Sequence, residues 1–454
     1  MARILNDLRL TKRNVPKAPI IIGDRQIVNS PFRILSYGPY ELAIKNQILV
    51  VKLEDQIPKN FNEKDKIENF FNSNTWPQSR PFPFNQRISR FEEFFKNSKL
   101  EVLYSECKSD ELTDFISHHS PYTMIILHDQ SLNDTIYSNA KIQAIISGTR
   151  VQFIDFKHIS KIEPYTIFNI WIQLMSKCEG TPWLLSNNAD FPFVNDESLI
   201  ASISFSTKYE NVSYGVAHFL DTYNMKQEII IEPDERKNAN RALELSENEL
   251  TKIIKRAIKW FKENKNGRKK LNLFLYKTTP LRPIEKKVID SFISNPDDGL
   301  EEVSITHIHI KSANFGIPRL YDMENVGYAG FNYMPLQGQC IKLEPNEAEI
   351  EGFEFRGEII ISTTGLIEGL NPRGPKGTPV PLLLSIFSNK KGILDTIENQ
   401  AMAMTGMDWE YTGKNYRAPF LTKYSYRLAR LISYQKKELP AKMLSKVLDI
   451  RDLM

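Results

Sequence analysis

A change of rhythm near Gly180-Thr181-Pro182 limits the fold of this 454-residue sequence more than any other feature. Before it, short apolar runs alternate with helical periodicity. Residues 47–51 (QILVV), 122–127 (YTMIIL) and 151–156 are strand-like, while 135–146 and 167–177 are helix-like. Strands separated by helices build a parallel sheet covered on both faces. After it, residues 199–206, 212–219 and 228–232 read as successive strands with no helix between them, which points to an antiparallel meander. A helix then opens at Ser246 with Glu249 three positions on, a capping box, and carries the apolar stripe Ile253, Ile254, Ala257, Ile258 and Phe261. Further strands are expected at 271–276 (LNLFLY), 303–310 and 358–362, with the last ninety or so residues mainly helical. The expected class is α/β: a Rossmann-like parallel unit, then a sheet that reads as RNase H-like, a coarse pattern that many mixed α/β folds share. The first thirty or so residues, basic and carrying Pro16 and Pro19, read as an extension or strap, and residues 91–95 as a helix.

Composition excludes several classes. Lys plus Arg is 59 against 55 for Asp plus Glu, so the net charge of +4 rules out a uniformly basic, histone-like chain but not a local basic groove. Cys107, Cys178 and Cys340 are widely spaced and form neither a disulfide framework nor a CxxC metal site. No apolar run approaches the roughly 20 residues that span a bilayer, and the N terminus lacks a signal-peptide core. The expectation is a soluble, cytoplasmic protein with no membrane partner.

Three constellations carry candidate chemistry. The helix from 246 and its tail hold Lys252, Lys255, Arg256, Lys259 and five further basic residues. They form either a phosphate-tracking stripe or a solvated face, and the residues alone slightly favour the second. His307 and His309 face the same way on a strand but have no acid or cysteine cluster beside them, which fits structural histidines better than a metal site. The third set lies between 137 and 177. Tyr137 and Lys141 share a helix face at i, i+4; Gln152 follows on the next strand; Asn169 and Lys177 are two turns apart on the next helix. An aromatic ring, two ammonium groups and two amides suit a phosphorylated terminal nucleotide, although any polar surface offers such a collection.

The order Tyr-x-x-x-Lys, Gln, Asn and then Lys-x-x-Gly-x-Pro-Trp (177–183) resembles the MID domain of prokaryotic Argonautes. SYGPYE (36–41) is similar to the start of short archaeal members, and GMDWEYTGKNYRAPFLTKYSYRLARLI (406–432) to the end of their PIWI domain. The resemblance implies that Tyr137 stacks on the first base of a guide strand, that Lys141, Gln152 and Lys177 hold its 5′ phosphate, and that Asn169 contacts the first nucleotide. It further implies that the carboxylate of Met454 lies beside that phosphate, bridged by Mg2+. The implied organisation is a strap at 1–45, a MID domain at 46–190 and a PIWI domain at 191–454. This length leaves no room for N and PAZ domains ahead of the MID domain, as in the short members.

Slicing members of the family hold two Mg2+ ions with clustered acids. At the matching places this chain reads Ser204, Thr278 and Tyr426, and hydroxyls are poor substitutes for anionic Mg2+ ligands. The resemblance therefore implies a binding module without catalysis: a guide, expected to be RNA, pairs a complementary single-stranded DNA target. Short members work as heterodimers with an APAZ-domain effector bearing a TIR, sirtuin-like or nuclease domain, switched on in defence against plasmids or phage. Two alternatives stay open. One is an RNase H-like nuclease with displaced ligands drawn from Asp196, Glu197, Asp221, Asp234 and Glu235; the other is a stand-alone guide- or DNA-binding homodimer.

Overall fold

A computed structural model describes residues 8–14, 19–29, 31–41, 47–72, 101–119, 122–160, 164–186, 197–206, 213–222, 226–234, 245–264, 267–296, 299–311, 337–345, 355–363, 381–390, 392–410, 418–435, 439, 443, 448 and 450–454. The helix expected at 91–95 and the glycine–proline loop at 371–381, apart from its last residue, lie outside them. The N-terminal segment supplies β1 (Leu8–Asn14), β2 (Ile20–Ile21) and β3 (Ile27–Val28). It is more than a strap. β1 adds a strand to the edge of the largest sheet, and Ile20 and Ile22 are buried, because the run Pro19-Ile-Ile-Ile is too apolar to stay in water; Ile34 is buried with them.

The first helical–strand alternation forms a four-stranded, all-parallel sheet. Its strands are β4 (Gln47–Leu53), β5 (Glu101–Cys107), β6 (Thr123–His128) and β7 (Arg150–Asp155), in the order β5-β4-β6-β7. Two helices follow its last strands. α1 (Asp134–Ser147) starts at Asn133, whose side chain accepts from the Thr135 amide at 2.7 Å, and stops at Gly148, which takes φ +75° as the left-handed cap. α2 (Pro164–Lys177) begins on a proline, whose missing N–H costs nothing at that position. It ends with Glu179 at φ +73° while the Gly180 amide reaches back to the Met175 carbonyl at 3.0 Å. The short β8 (Leu184–Leu185) pairs with β2.

The second half is a nine-stranded sheet. β9 (Ser198–Ser206), β10 (Ser213–Asp221) and β11 (Gln227–Asp234) form the antiparallel meander; β12 (Lys270–Lys277) and β13 (Glu302–Ile310) then run parallel to β9. The resulting order β11-β10-β9-β12-β13 is the RNase H-like arrangement, extended by β16 (Leu382–Ser388), β15 (Phe355–Ile361), β14 (Gln339–Pro345) and β1. Alternation along β9 divides the two faces. Leu199, Ala201 and Ile203 pack with α3 (Glu247–Asn264) and α4 (Pro283–Ser294), whereas Ile200 joins α5 (Leu394–Thr405) and α6 (Phe420–Ser433). The α5–α6 side merges with the parallel sheet into one apolar core that includes Ile48, Ile125, Phe168, Trp183, Trp409 and Leu428. Among the described residues no helix is long and apolar enough to cross a membrane.

Candidate functional site

That shared core positions a cavity of about 340 Å³ where the two halves meet, lined by His128, Tyr137, Lys141, Gln152, Phe153, Gln173, Glu410, Arg427 and Met454. α1 brings Tyr137 and Lys141 in from one side. Tyr137 leans on Phe153, with ring centroids 4.7 Å apart. Lys141 is 3% exposed, and its ammonium donates to the Val151 carbonyl at 2.7 Å and to the main-chain oxygen of Met454 at 2.6 Å. Lys177, the last residue of α2 and fully buried, donates to that same Met454 oxygen and to the Arg451 carbonyl at 3.3 Å. Two lysines 36 positions apart therefore converge on an oxygen of the last residue in the sequence.

Gln152 projects from β7. Its amide nitrogen donates to the Phe153 carbonyl at 3.2 Å, while its Oε1 is buried with no hydrogen-bond partner. An orphaned buried acceptor at a cavity wall fits a site that expects a donor from a ligand or water. Asn169 is half-buried and is not among the lining residues; Gln173, one turn later on the same stripe of α2, is.

The charges around the cavity are layered. Burial pushes the Lys141 ammonium well below the usual lysine range, reinforced by repulsion from Lys177 and Arg427. Burial likewise lowers Lys177 to about 7, although Glu410 and Asp452 pull it partly back. Burial alone would raise the Glu410 carboxyl, but Arg427 and Lys423 outweigh it and hold it at about 2. Lys423 pairs with Glu410 at 2.7 Å and with Asp408 at 2.5 Å, and Arg427 pairs with Glu410 and donates to the Leu453 carbonyl at 3.3 Å. The segment bearing Glu410 is fixed from the other half of the chain. Trp409 donates to the Trp183 carbonyl at 3.2 Å, and Gln173 to the Glu410 carbonyl at 3.3 Å. Glu410 and Arg427 lie more than 230 positions from Lys177, a separation that no local spacing rule in the sequence reports.

The other candidate residues lie elsewhere. Lys252, Lys255, Arg256 and Lys259 sit on α3, on the face of the nine-stranded sheet opposite α6, so the fold does not bring them to the cavity. Arg256 is committed to Glu228 at 2.6 Å, and Lys259 lies 3.8 Å from Glu263. Ser204 is buried and bonds Ser425 at 2.9 Å, within a cluster that also joins Ser202 and Thr422. Thr278 is exposed past the end of β12, and Tyr426 is 57% exposed, so the side chain from α6 that meets Ser204 is Ser425. Of the rival acids, Asp196 and Glu235 lie outside the described residues. Glu197 precedes β9 and Asp234 ends β11. Asp221 pairs with Leu199, five positions along β9 from Ser204 and therefore about 17 Å away. Among the described residues no group of three or more His, Cys, Asp or Glu side chains could hold a metal.

No protein-family model matches the chain, and no curated protein does. Among solved structures the chain is similar to Clostridium butyricum Argonaute bound to a guide DNA with a 5′ deoxycytidine and a 19-mer target DNA. The TM-score is 0.66 at 16% identity, and the match covers 96% of this chain and 54% of that one. The likeness establishes an Argonaute-like fold, and the chain spans about half the length of the structure it matches.

Proposed function

We propose that the chain is a guide-loaded recognition module that holds a 5′-phosphorylated strand, an RNA guide, in the cavity and pairs it with single-stranded DNA. The observation that carries this reading is the convergence of Lys141 and Lys177 on the Met454 oxygen, beside Tyr137. Two buried ammonium groups with depressed proton affinity form a receptor that an anion recharges, and the half-buried ring of Tyr137 offers a stacking surface for a base. The solved neighbour binds a guide and a target, which supports the same class of ligand here. Base pairing would supply sequence specificity, with the protein reading backbone and shape.

The family resemblance would put a terminal carboxylate of Met454 here. That donor set fits Mg2+, which binds through one or two carboxylates plus substrate phosphates and keeps several waters. A bound ion would supply charge neutralisation at the guide phosphates. Lys141 and Lys177 orient the phosphate, and the surrounding apolar core excludes water from it.

The reading includes no slicing. The hydroxyl cluster of Ser202, Ser204, Thr422 and Ser425 supports this, since its members satisfy one another where the family resemblance puts the first metal-binding acid. Signal output would then pass to an APAZ-domain effector in a heterodimer, in defence against plasmids or phage. The test is the nucleic acid that co-purifies. Wild type should carry short 5′-phosphorylated strands that the Lys141→Ala/Lys177→Ala variant lacks. A variant that carries as much as wild type would refute the pocket assignment. Metal-dependent cleavage of a guide–target duplex by the purified chain would refute the non-slicing part.

A further inference from the structure

α6, which lends Arg427 to the cavity, also carries an exposed stripe that the pocket itself does not use. Tyr426, Arg430 and Tyr434 recur at i, i+4 and i+8 and so share one side of the helix. Tyr426 is 57% exposed, matched among the large hydrophobic side chains of the described residues only by Ile27, and Arg430 is exposed as well. Arg430 is held in place from within the stripe. Its Nη2 donates to the Tyr434 hydroxyl at 3.2 Å, and its guanidinium lies 5.7 Å from the Tyr434 ring. The Tyr434 hydroxyl in turn donates to Asp134 at 3.3 Å, at the start of α1. Asp134 is three positions before the pocket's Tyr137. Arg430 is close enough to act electrostatically on the Tyr137 hydroxyl, and Tyr426 and Asp134 are close enough to act on Arg430. Arg427, which lines the cavity, is the next residue after Tyr426. Through Arg430 and Tyr434 the stripe therefore lies beside α1 and the pocket's Tyr137, with Tyr426 on the same side of α6 and open to solvent.

We infer that Tyr426 and Arg430 form the first external track for the single strand leaving the pocket, the Tyr426 ring stacking on a base and the Arg430 guanidinium taking a backbone phosphate. An exposed aromatic ring beside a cation is the combination that single-stranded nucleic acid uses, because every base has a π-face and every nucleotide a phosphate. Asp134 limits the local positive charge, and Arg430 stays free on its solvent side to meet a phosphate. This assignment also gives α6, rather than the basic face of α3 across the sheet, the path of the strand.

The inference rests on the pocket reading, and one experiment separates the two. Affinities are measured by fluorescence competition for a 5′-phosphorylated mononucleotide, a short 5′-phosphorylated oligonucleotide and its 5′-hydroxyl counterpart. Tyr426→Ala should weaken the phosphorylated oligonucleotide about tenfold and leave the mononucleotide unchanged, while Tyr426→Phe keeps wild-type affinity. Arg430→Ala should reduce the slope of log affinity against log salt by about 0.7 for the oligonucleotide alone. Wild-type oligonucleotide binding and salt slope in both alanine variants, with the 5′-phosphate preference intact, would overturn the track and leave the pocket standing. A wild-type protein indifferent to the 5′ phosphate would sink the pocket reading, and with it the path that starts there.

Discussion

Burial of Lys177 makes phosphate binding a proton-linked event, and the size of the effect follows from the site. Its ammonium is lowered to about 7 by desolvation, yet a phosphate contact requires the charged form. Above pH 7 binding must first put a proton back. From pH 7 to pH 9 the cost at Lys177 grows to about 2.7 kcal/mol, at about 1.36 kcal/mol per unit, and the net loss of affinity is about fifty-fold because half the sites are already protonated at pH 7. The phosphate does not contribute to this slope, since its second pKa of about 6 leaves it dianionic throughout the range. Lys141, lowered well below the lysine range by the same burial, steepens the dependence further. Calorimetric titration of a 5′-phosphorylated strand at several pH values, in buffers of different ionisation enthalpy, counts the protons directly. Uptake should rise toward one proton or more above pH 8, and Lys177→Met should remove about one of them. An affinity flat from pH 7 to 9, or a proton count unchanged in Lys177→Met, would refute the reasoning.

Glu410→Gln leaves Arg427 short of a buried counter-ion and should cost about 3 kcal/mol at neutral pH, read as a lowered melting temperature. The folded carboxyl lies below its ordinary value, so its contribution is present above about 4.5 and fades as pH falls through about 2. The gap between variant and wild type should therefore close on acidification, and a gap constant with pH would contradict the assignment. Ser204→Ala removes the 2.9 Å bond to Ser425 and should lower stability by about 1 kcal/mol with guide affinity unchanged, as urea melts and strand binding would report. Gly23→Ala would drive a Cβ into the Tyr37 carbonyl oxygen, so a loss of about 2–3 kcal/mol on thermal melting is expected, and a neutral result would show that the turn can open.

Much of the architecture was legible because its signals are local. The runs at 47–51 and 122–127 are buried strands for the reason given by their composition, and the Ser246–Glu249 box is present, with the Glu249 amide 3.2 Å from the Ser246 hydroxyl. The pocket was half legible. Helix spacing puts Tyr137 and Lys141 on one face, the family resemblance adds Gln152, and Gln173 was within reach as the middle member of the Asn169–Lys177 stripe. Glu410 and Arg427 were not, because they reach the cavity through the packing of Trp409 against Trp183 and of α6 against α1, contacts between segments hundreds of residues apart. The basic run on α3 shows the same limit from the other side. Its lysines are conspicuous in sequence, but the alternation of β9 that decides which face a helix covers is a property of the assembled sheet. β1 was missed because an edge strand needs a distant partner, here β14, to exist at all.

The most direct test of the account compares one oligonucleotide with and without a 5′ phosphate, in wild type and in Lys141→Ala/Lys177→Ala. The account predicts a strong wild-type preference for the phosphorylated strand, about ten- to a hundredfold for each charge-assisted contact, and no preference in the double variant. Equal wild-type affinity for both strands, or an unchanged preference in the variant, would contradict it.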